Sequence, residues 1–220
     1  MQNHGELEAA IASCGLDRSF SFDIRPYASL ADFRAGSWIL AEGQRVTRLY
    51  YLIEGKVKLF VTHRNGRVSL VSFLTAPRFI GEMELLDPEG TARGIQAHTA
   101  CRCIALDLAR CEDRVLGDSR FLRSLCIDLG RSASGTTSQY TERQAYPLKN
   151  RLASYILLSE HGGVYSEKHT ETAEYLGVSY RHLLYALAGL CRAGLLEHTD
   201  RVYRIRDRAG LEALRDEMLD

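Results

Sequence analysis

The side chains best suited to chemistry lie in the last fifth of the chain. Arg181, Tyr185, Ala188 and Arg192 recur at i, i+4, i+7 and i+11, a spacing that gathers them on one face of a helix. Tyr180 and His182 flank the first of them, at the helix end that reaches base edges when such a helix lies in a DNA major groove. The Arg181 guanidinium suits a bidentate contact with a guanine edge, and the rings of Tyr180 and Tyr185 suit a phosphate oxygen or a thymine methyl. Other chemistry has less support. His161, His169 and His182 have no metal-ligand spacing, so no metal site is expected. The apolar runs upstream lack the clustered His-x-His and Glu of a metal-dependent jelly-roll enzyme, so no catalytic residue is named and the chain is not read as an enzyme.

A helix-turn-helix is needed to carry these side chains, and residues 170–188 fit one. Thr170 is expected to cap the first helix, with Glu171 in the first turn, where the helix dipole favours an acid. Ala173 is small where two helix axes cross, Gly177 can take the left-handed conformation that ends a helix, and Ser179 can cap the next. Leu176, Val178, Leu183 and Leu187 point into the shared core. Residues 195–198 and 202–205, joined by Thr199-Asp200-Arg201, are expected to form a wing whose Arg201 and Arg204 meet the phosphate backbone. The plainer alternative is a helical hairpin with a solvated face. The small residue, glycine and cap at this spacing, followed by a β-ribbon, favour the DNA reader.

Upstream the periodicity changes. From about residue 20 to 106, short apolar runs are punctuated by Gly36, Gly43, Gly55, Gly66, Gly81 and Gly90, the cadence of an antiparallel sandwich or jelly roll. Val57, Leu59 and Val61 alternate with Lys56 and Lys58, and Asn65-Gly66 supplies a turn, so residues 56–74 are expected to form a hairpin. Residues 107–146 read as helical. Phe121, Leu122, Leu125 and Leu129 form a seam with no sequence neighbour to cover it, so it is expected to be a dimer interface, the alternative being that it lies on the sandwich. Pro147 breaks the helix as a candidate hinge. The expected domains are 1–106, 107–146 and 147–220.

With 28 basic and 28 acidic residues, net charge implies no blanket attraction to nucleic acid or membrane, and only residues 148–206 are mildly basic. No stretch approaches the ~18 apolar residues of a membrane span and no export signal opens the chain. The six cysteines are scattered. A cytoplasmic protein with reduced thiols and no membrane partner is expected.

A glycine-punctuated sandwich, a long seam helix and a winged helix-turn-helix, in this order, resemble the CRP/FNR superfamily of bacterial transcription regulators. The resemblance rests on Gly36, Glu42-Gly43, residues 49–57 (LYYLIEGKV), Phe79-Ile80-Gly81-Glu82, Thr99-Ala100-Cys101 and the helix-turn-helix. Residues 65–74 (NGRVSLVSFL), 79–86 (FIGEMELL) and 167–185 (EKHTETAEYLGVSYRHLLY) are most similar to the YeiL-type regulators within it. It implies an α+β fold: an N-terminal double-stranded β-helix, or jelly roll, of the cyclic-nucleotide-binding kind, a long dimerisation helix and a C-terminal winged helix-turn-helix. It also implies a homodimer bound to double-stranded DNA at an inverted repeat, acting as a sequence-specific transcription regulator with RNA polymerase as a further partner.

In cyclic-nucleotide-binding members, as the resemblance has it, a Gly-Glu pair opens a short helix whose amides hold the phosphate together with an Arg-Ser further on, while the Glu takes the ribose hydroxyl. Gly81 and Glu82 match, and with Arg93 they form the candidate effector pocket. Arg93, however, lies twelve positions past Gly81 where the family pattern has eleven, and Gly94 stands in place of the serine. Cyclic AMP is therefore not expected. A different small ligand, or a vestigial pocket closed by a Glu82–Arg93 salt bridge, are the readings left open. Members of the FNR type hold an iron-sulfur cluster mainly on N-terminal cysteines, where this chain has only Cys14. Cys101 and Cys103 are expected on opposite faces of a strand, Cys126 in the seam and Cys191 in the winged-helix core, so a cluster is not expected. A redox-responsive regulator, or one needing no effector, stands as the alternative.

Overall fold

The computed structural model describes residues 3–63, 65, 66, 68–87 and 93–218, except for the side chains at 3, 4 and 132–144. The expected turn at 63–67 thus lies partly outside the described residues. The chain divides into two compact units, residues 1–132 and 133–220.

The first unit holds eight strands among the described residues. These are β1 (Ala28–Phe33), β2 (Trp38–Leu40), β3 (Arg48–Glu54), β4 (Lys56–Thr62), β5 (Val68–Thr75), β6 (Arg78–Ile80), β7 (Gly94–Ala97) and β8 (Cys101–Asp107). They form two four-stranded antiparallel sheets, ordered β1-β8-β3-β6 and β2-β7-β4-β5. The expected hairpin is present, with Lys56 opposite Thr75 and Thr62 opposite Val68. Leu52, Ile80, Cys101 and Cys103 of one sheet pack on Leu40, Val57, Leu59 and Ile95 of the other. The short strands β1 and β7 carry too little alternation to be read in advance.

The reading of Cys101 and Cys103 on opposite faces is overturned. Arg102 alone separates them, so the two-residue period of a strand returns both thiols to one face, and both are buried in the same core between the sheets. Burial raises the Cys101 thiol pKa and pushes that of Cys103 up to about 12.

Helices close the other face of the first sheet. Leu7 and Ile11 of α1 (Asn3–Cys14), followed by Leu16, Phe20 and Ile24, pack there with Leu49, Phe79, Ile104 and Leu106. This N-terminal contribution had no counterpart in the sequence reading. Leu108, Cys111 and Val115 of α3 (Leu108–Leu116) join the same core, and Asp107 caps that helix by accepting from the Ala109 N–H at 3.2 Å. The long helix α4 (Ser119–Ala145) follows Asp118, whose carboxylate accepts from the backbone N–H groups of Ser21, Arg120 and Phe121 at 2.6, 2.9 and 3.3 Å. Burial alone would raise the Asp118 pKa, but these bonds and the Ser21 hydroxyl lower it overall.

The seam of α4 divides in two. Phe121 and Leu125 are buried in the first unit's own core, with Phe121 stacked on Phe20 at 5.1 Å and edge-on to Phe79 at 5.4 Å. Leu122 and Leu129 pack partly against that core. Phe121 and Leu125 are therefore corrected from interface to interior residues, because the side chains that meet them come from β6 and from the segment after α1. Cys126 and Ile127 face outward, Ile127 at 46% exposure.

The second unit contains α5 (Leu148–Ser159), β9 (Val164–Tyr165), α6 (His169–Leu176), α7 (Tyr180–Arg192), β10 (Leu196–Thr199), β11 (Val202–Ile205) and α8 (Arg208–Asp216). Its three strands form one antiparallel sheet, β10-β11-β9. Leu152, Ile156, Leu176, Leu183, Leu187, Leu196 and Leu211 are buried in it. Strand β9 and helix α8 were not anticipated. Asn150 ties α8 to α5 by donating to the Leu214 carbonyl at 2.8 Å and to the Glu217 carboxylate at 2.6 Å.

Candidate nucleic-acid interface

Helices α6 and α7 meet at a tight turn built from the expected residues. Gly177 ends α6 at φ 65°, a backbone conformation that favours glycine. Ser179 caps α7 by accepting from the His182 N–H at 3.2 Å, and the Arg151 guanidinium donates to the last carbonyl of α6, that of Leu176, at 2.8 Å. Ala173, Leu183 and Leu187 are buried as expected, whereas Val178 is half-buried. The expectation for Thr170 is corrected: α6 starts one residue earlier, at His169, with Lys168 at the cap position and no side-chain cap. Thr170 sits exposed in the first turn, because the Thr172 hydroxyl, not that of Thr170, is buried and bonded to the Lys168 carbonyl at 3.2 Å.

Burial of Leu183, Leu187 and Leu190 turns the opposite face of α7 outward. Tyr180, Arg181, His182, Tyr185, Ala188 and Arg192 are all exposed. Leu184, which sequence spacing did not single out, is exposed among them at 37%. The Arg192 guanidinium lies over the Tyr185 ring, 5.6 Å from its centroid. The wing is the β10–β11 hairpin, its first strand one residue later than expected, with Asp200 at φ 54° in the turn. Arg201 at its tip and Arg204 on β11 are exposed.

A tyrosine core sets the wing against the two helices. Tyr155 of α5 packs on Tyr165 of β9 at 6.2 Å, and Tyr165 on Tyr203 of β11 at 5.9 Å. The Tyr165 hydroxyl bonds that of Thr172 in α6 at 2.8 Å. His198 lies 4.6 Å from the Tyr203 ring, and His169 lies 5.8 Å from Tyr203 and 6.1 Å from Tyr180. Partial burial, and then the nearby His198, lower the His169 pKa and favour its neutral form. These contacts join residues far apart in sequence, so no spacing signal pointed to them.

The candidate effector residues lie in the first unit. Gly81, at φ 91°, precedes α2 (Glu82–Leu86). Glu82 borders a small, partly open cleft of about 40 Å³, lined by Pro77, Arg78, Phe79, Glu82, Leu125, Asp128 and Leu129. Arg78 and Asp128 were missed in the sequence, and Gly81 and Arg93 do not line the cleft. Burial raises the Glu82 pKa to about 7, with Glu84 adding to the effect and Arg78 and Arg93 opposing it. The Arg93 backbone N–H donates to the Glu84 carboxylate at 3.1 Å. A Cβ at Gly94 would fall 2.8 Å from the Trp38 ring, so the indole occupies the space that a serine side chain would need. Among the described residues, no group of three or more His, Cys, Asp and Glu side chains is arranged to hold a metal ion. No helix among them is long and apolar enough to cross a membrane.

Comparison with known proteins divides the chain along the same lines. Residues 30–115 match the cyclic nucleotide-binding domain family, and residues 150–214 match the Crp-like helix-turn-helix domain family. The regulatory protein YeiL of Escherichia coli O157:H7 is 44% identical over 96% of this chain and 94% of its own. The cAMP-activated global transcriptional regulator CRP of Haemophilus influenzae is 25% identical over 60% of this chain and 59% of its own. Among solved structures, a transcriptional regulator of the CRP/FNR family from Thermus thermophilus superposes with a TM-score of 0.69 at 23% identity, covering 86% of this chain and 98% of that one.

Proposed function

The chain belongs to the CRP/FNR family of DNA-binding transcription regulators, and from that premise we propose that α7 lies in the major groove with Arg181 reading a guanine edge. The observation that carries this reading is the exposed position of Arg181 in the first turn of α7, on the face opposite the buried leucines. Tyr180, His182 and Tyr185 contact DNA on either side of it. Thr170 in the first turn of α6, Arg201 at the wing tip and Arg204 on β11 take phosphates, which set register without reading sequence. A homodimer places two such helices on the half-sites of an inverted repeat, one DNA turn apart. Action in the cytoplasm with RNA polymerase as a partner, and no enzymatic activity, complete the proposal.

The first unit is a cyclic-nucleotide-binding-like domain, and we infer that cyclic AMP is not its effector. Trp38 packs where a serine side chain would stand at position 94, and Arg93 lies one position further from Gly81 than the family pattern has it. The effector is another small ligand, with a redox-responsive regulator or one that needs no effector as the alternative.

The test of DNA reading is Arg181→Ala. Against a site selected by the full-length protein, the variant should bind roughly 10- to 100-fold more weakly and lose its preference at one base pair. An equal loss on selected and random DNA would move Arg181 to the phosphate contacts.

A further inference from the structure

Helix α7 carries an apolar surface that its core does not need. Leu183, Leu187 and Leu190 already supply the buried face. Among the described residues of the second unit, the exposed large apolar side chains are Tyr180, Leu184 and Tyr185, and all three belong to α7. Tyr185 is 70% exposed, yet the Arg192 guanidinium covers one face of its ring, 5.6 Å from the centroid. A stacked cation on an exposed ring restricts the ring before any partner arrives. Leu184 lies next to Tyr185 and one turn beyond Arg181.

The polar inventory of the helix narrows what this surface can recognise. Its sequence, YRHLLYALAGLCR, contains no Asn or Gln to pair with adenine and no Asp or Glu to accept from the cytosine amino group. What remains are donors for guanine in Arg181 and His182 and an apolar surface formed by Leu184, Tyr185 and Ala188. In the major groove the one apolar mark on a base edge is the C5-methyl group of thymine. We propose that Leu184 is a specificity-determining residue that, with Tyr185 held by Arg192, reads thymine methyl groups beside the guanine bound by Arg181. This rests on the placement of α7 in the major groove proposed above.

Selection from a random duplex library by the full-length protein, followed by binding measurements on the enriched site, tests it. The enriched half-site should contain thymine within the few base pairs flanking the guanine. Replacing those thymines by uracil removes the methyl group and nothing else, and should weaken wild-type binding about fourfold per methyl. Leu184→Ala should bind thymine and uracil sites with nearly equal affinity, while Leu184→Met, which keeps an apolar side chain of similar volume, should retain the thymine preference. A wild-type protein indifferent to uracil, or an enriched site with no thymine beside its guanine, overturns the proposal and leaves the groove placement standing. If no sequence is enriched at all, base reading by α7 fails and the proposal fails with it.

Discussion

Glu82 opens α2 at the edge of a cleft whose walls include Pro77, Phe79, Leu125 and Leu129, and burial raises its pKa from 4.5 to about 7. The folded unit therefore keeps this proton to a higher pH than the unfolded chain does. Its contribution to stability is fully present below the unfolded value, declines as pH rises, and is gone above about 7. Glu82→Gln has no proton to lose. Thermal unfolding of the two proteins from pH 4.5 to 8 should show wild type losing up to about 3 kcal/mol relative to the variant, and parallel profiles would place the carboxyl in water. The raised value was not legible in the sequence, where Glu82 reads only as half of a Gly-Glu pair. Its cause is the enclosure supplied by α4 and β6.

At the scale of the element, α4 separates two kinds of apolar residue that a linear pattern runs together. Phe121 and Leu125 belong to the first unit's interior, so Leu125→Glu would place a charge in that core and report on folding. Ile127 faces outward beside Cys126, and we propose that face as the dimer contact. Ile127→Glu should convert dimers to monomers in analytical ultracentrifugation, with dimer dissociation at least about tenfold more favourable, since the change occurs twice across a two-fold axis. The monomers should remain folded, with a wild-type circular dichroism spectrum, while losing the concentration-dependent stability of the dimer. A dimer of unchanged affinity would place the interface on another element.

For the whole molecule, the relation of this chain to the cAMP-activated regulators it resembles comes down to Arg93 and Gly94. Each lost charge-assisted hydrogen bond to a phosphate removes about 1.5–3 kcal/mol. Isothermal titration of the full-length protein with cyclic AMP should therefore show no binding in the micromolar range, and a micromolar Kd would show that Arg93 reaches the phosphate after all. Much of the architecture was legible because its determinants are local. The left-handed Gly177, the Ser179 cap, the i, i+4, i+7 recurrence on α7 and the alternation along β4 each act within a few residues, where backbone sterics and side-chain period decide the outcome. The same local rules were not carried to β1, β7 or α8, although the amphipathic stripe of α8 is strong. They also could not say which apolar stripe of α4 is interior, because Phe20 and Phe79 decide that from distant parts of the chain. Local pattern alone was enough to set the order of sandwich or jelly roll, long helix and winged helix-turn-helix, and to say which helix face carries Arg181. It took the packed chain to make Phe121 and Leu125 core, to put Trp38 in the space beside Gly94, and to leave Leu184 exposed next to Arg181, since each depends on which distant surfaces exclude water from a side chain.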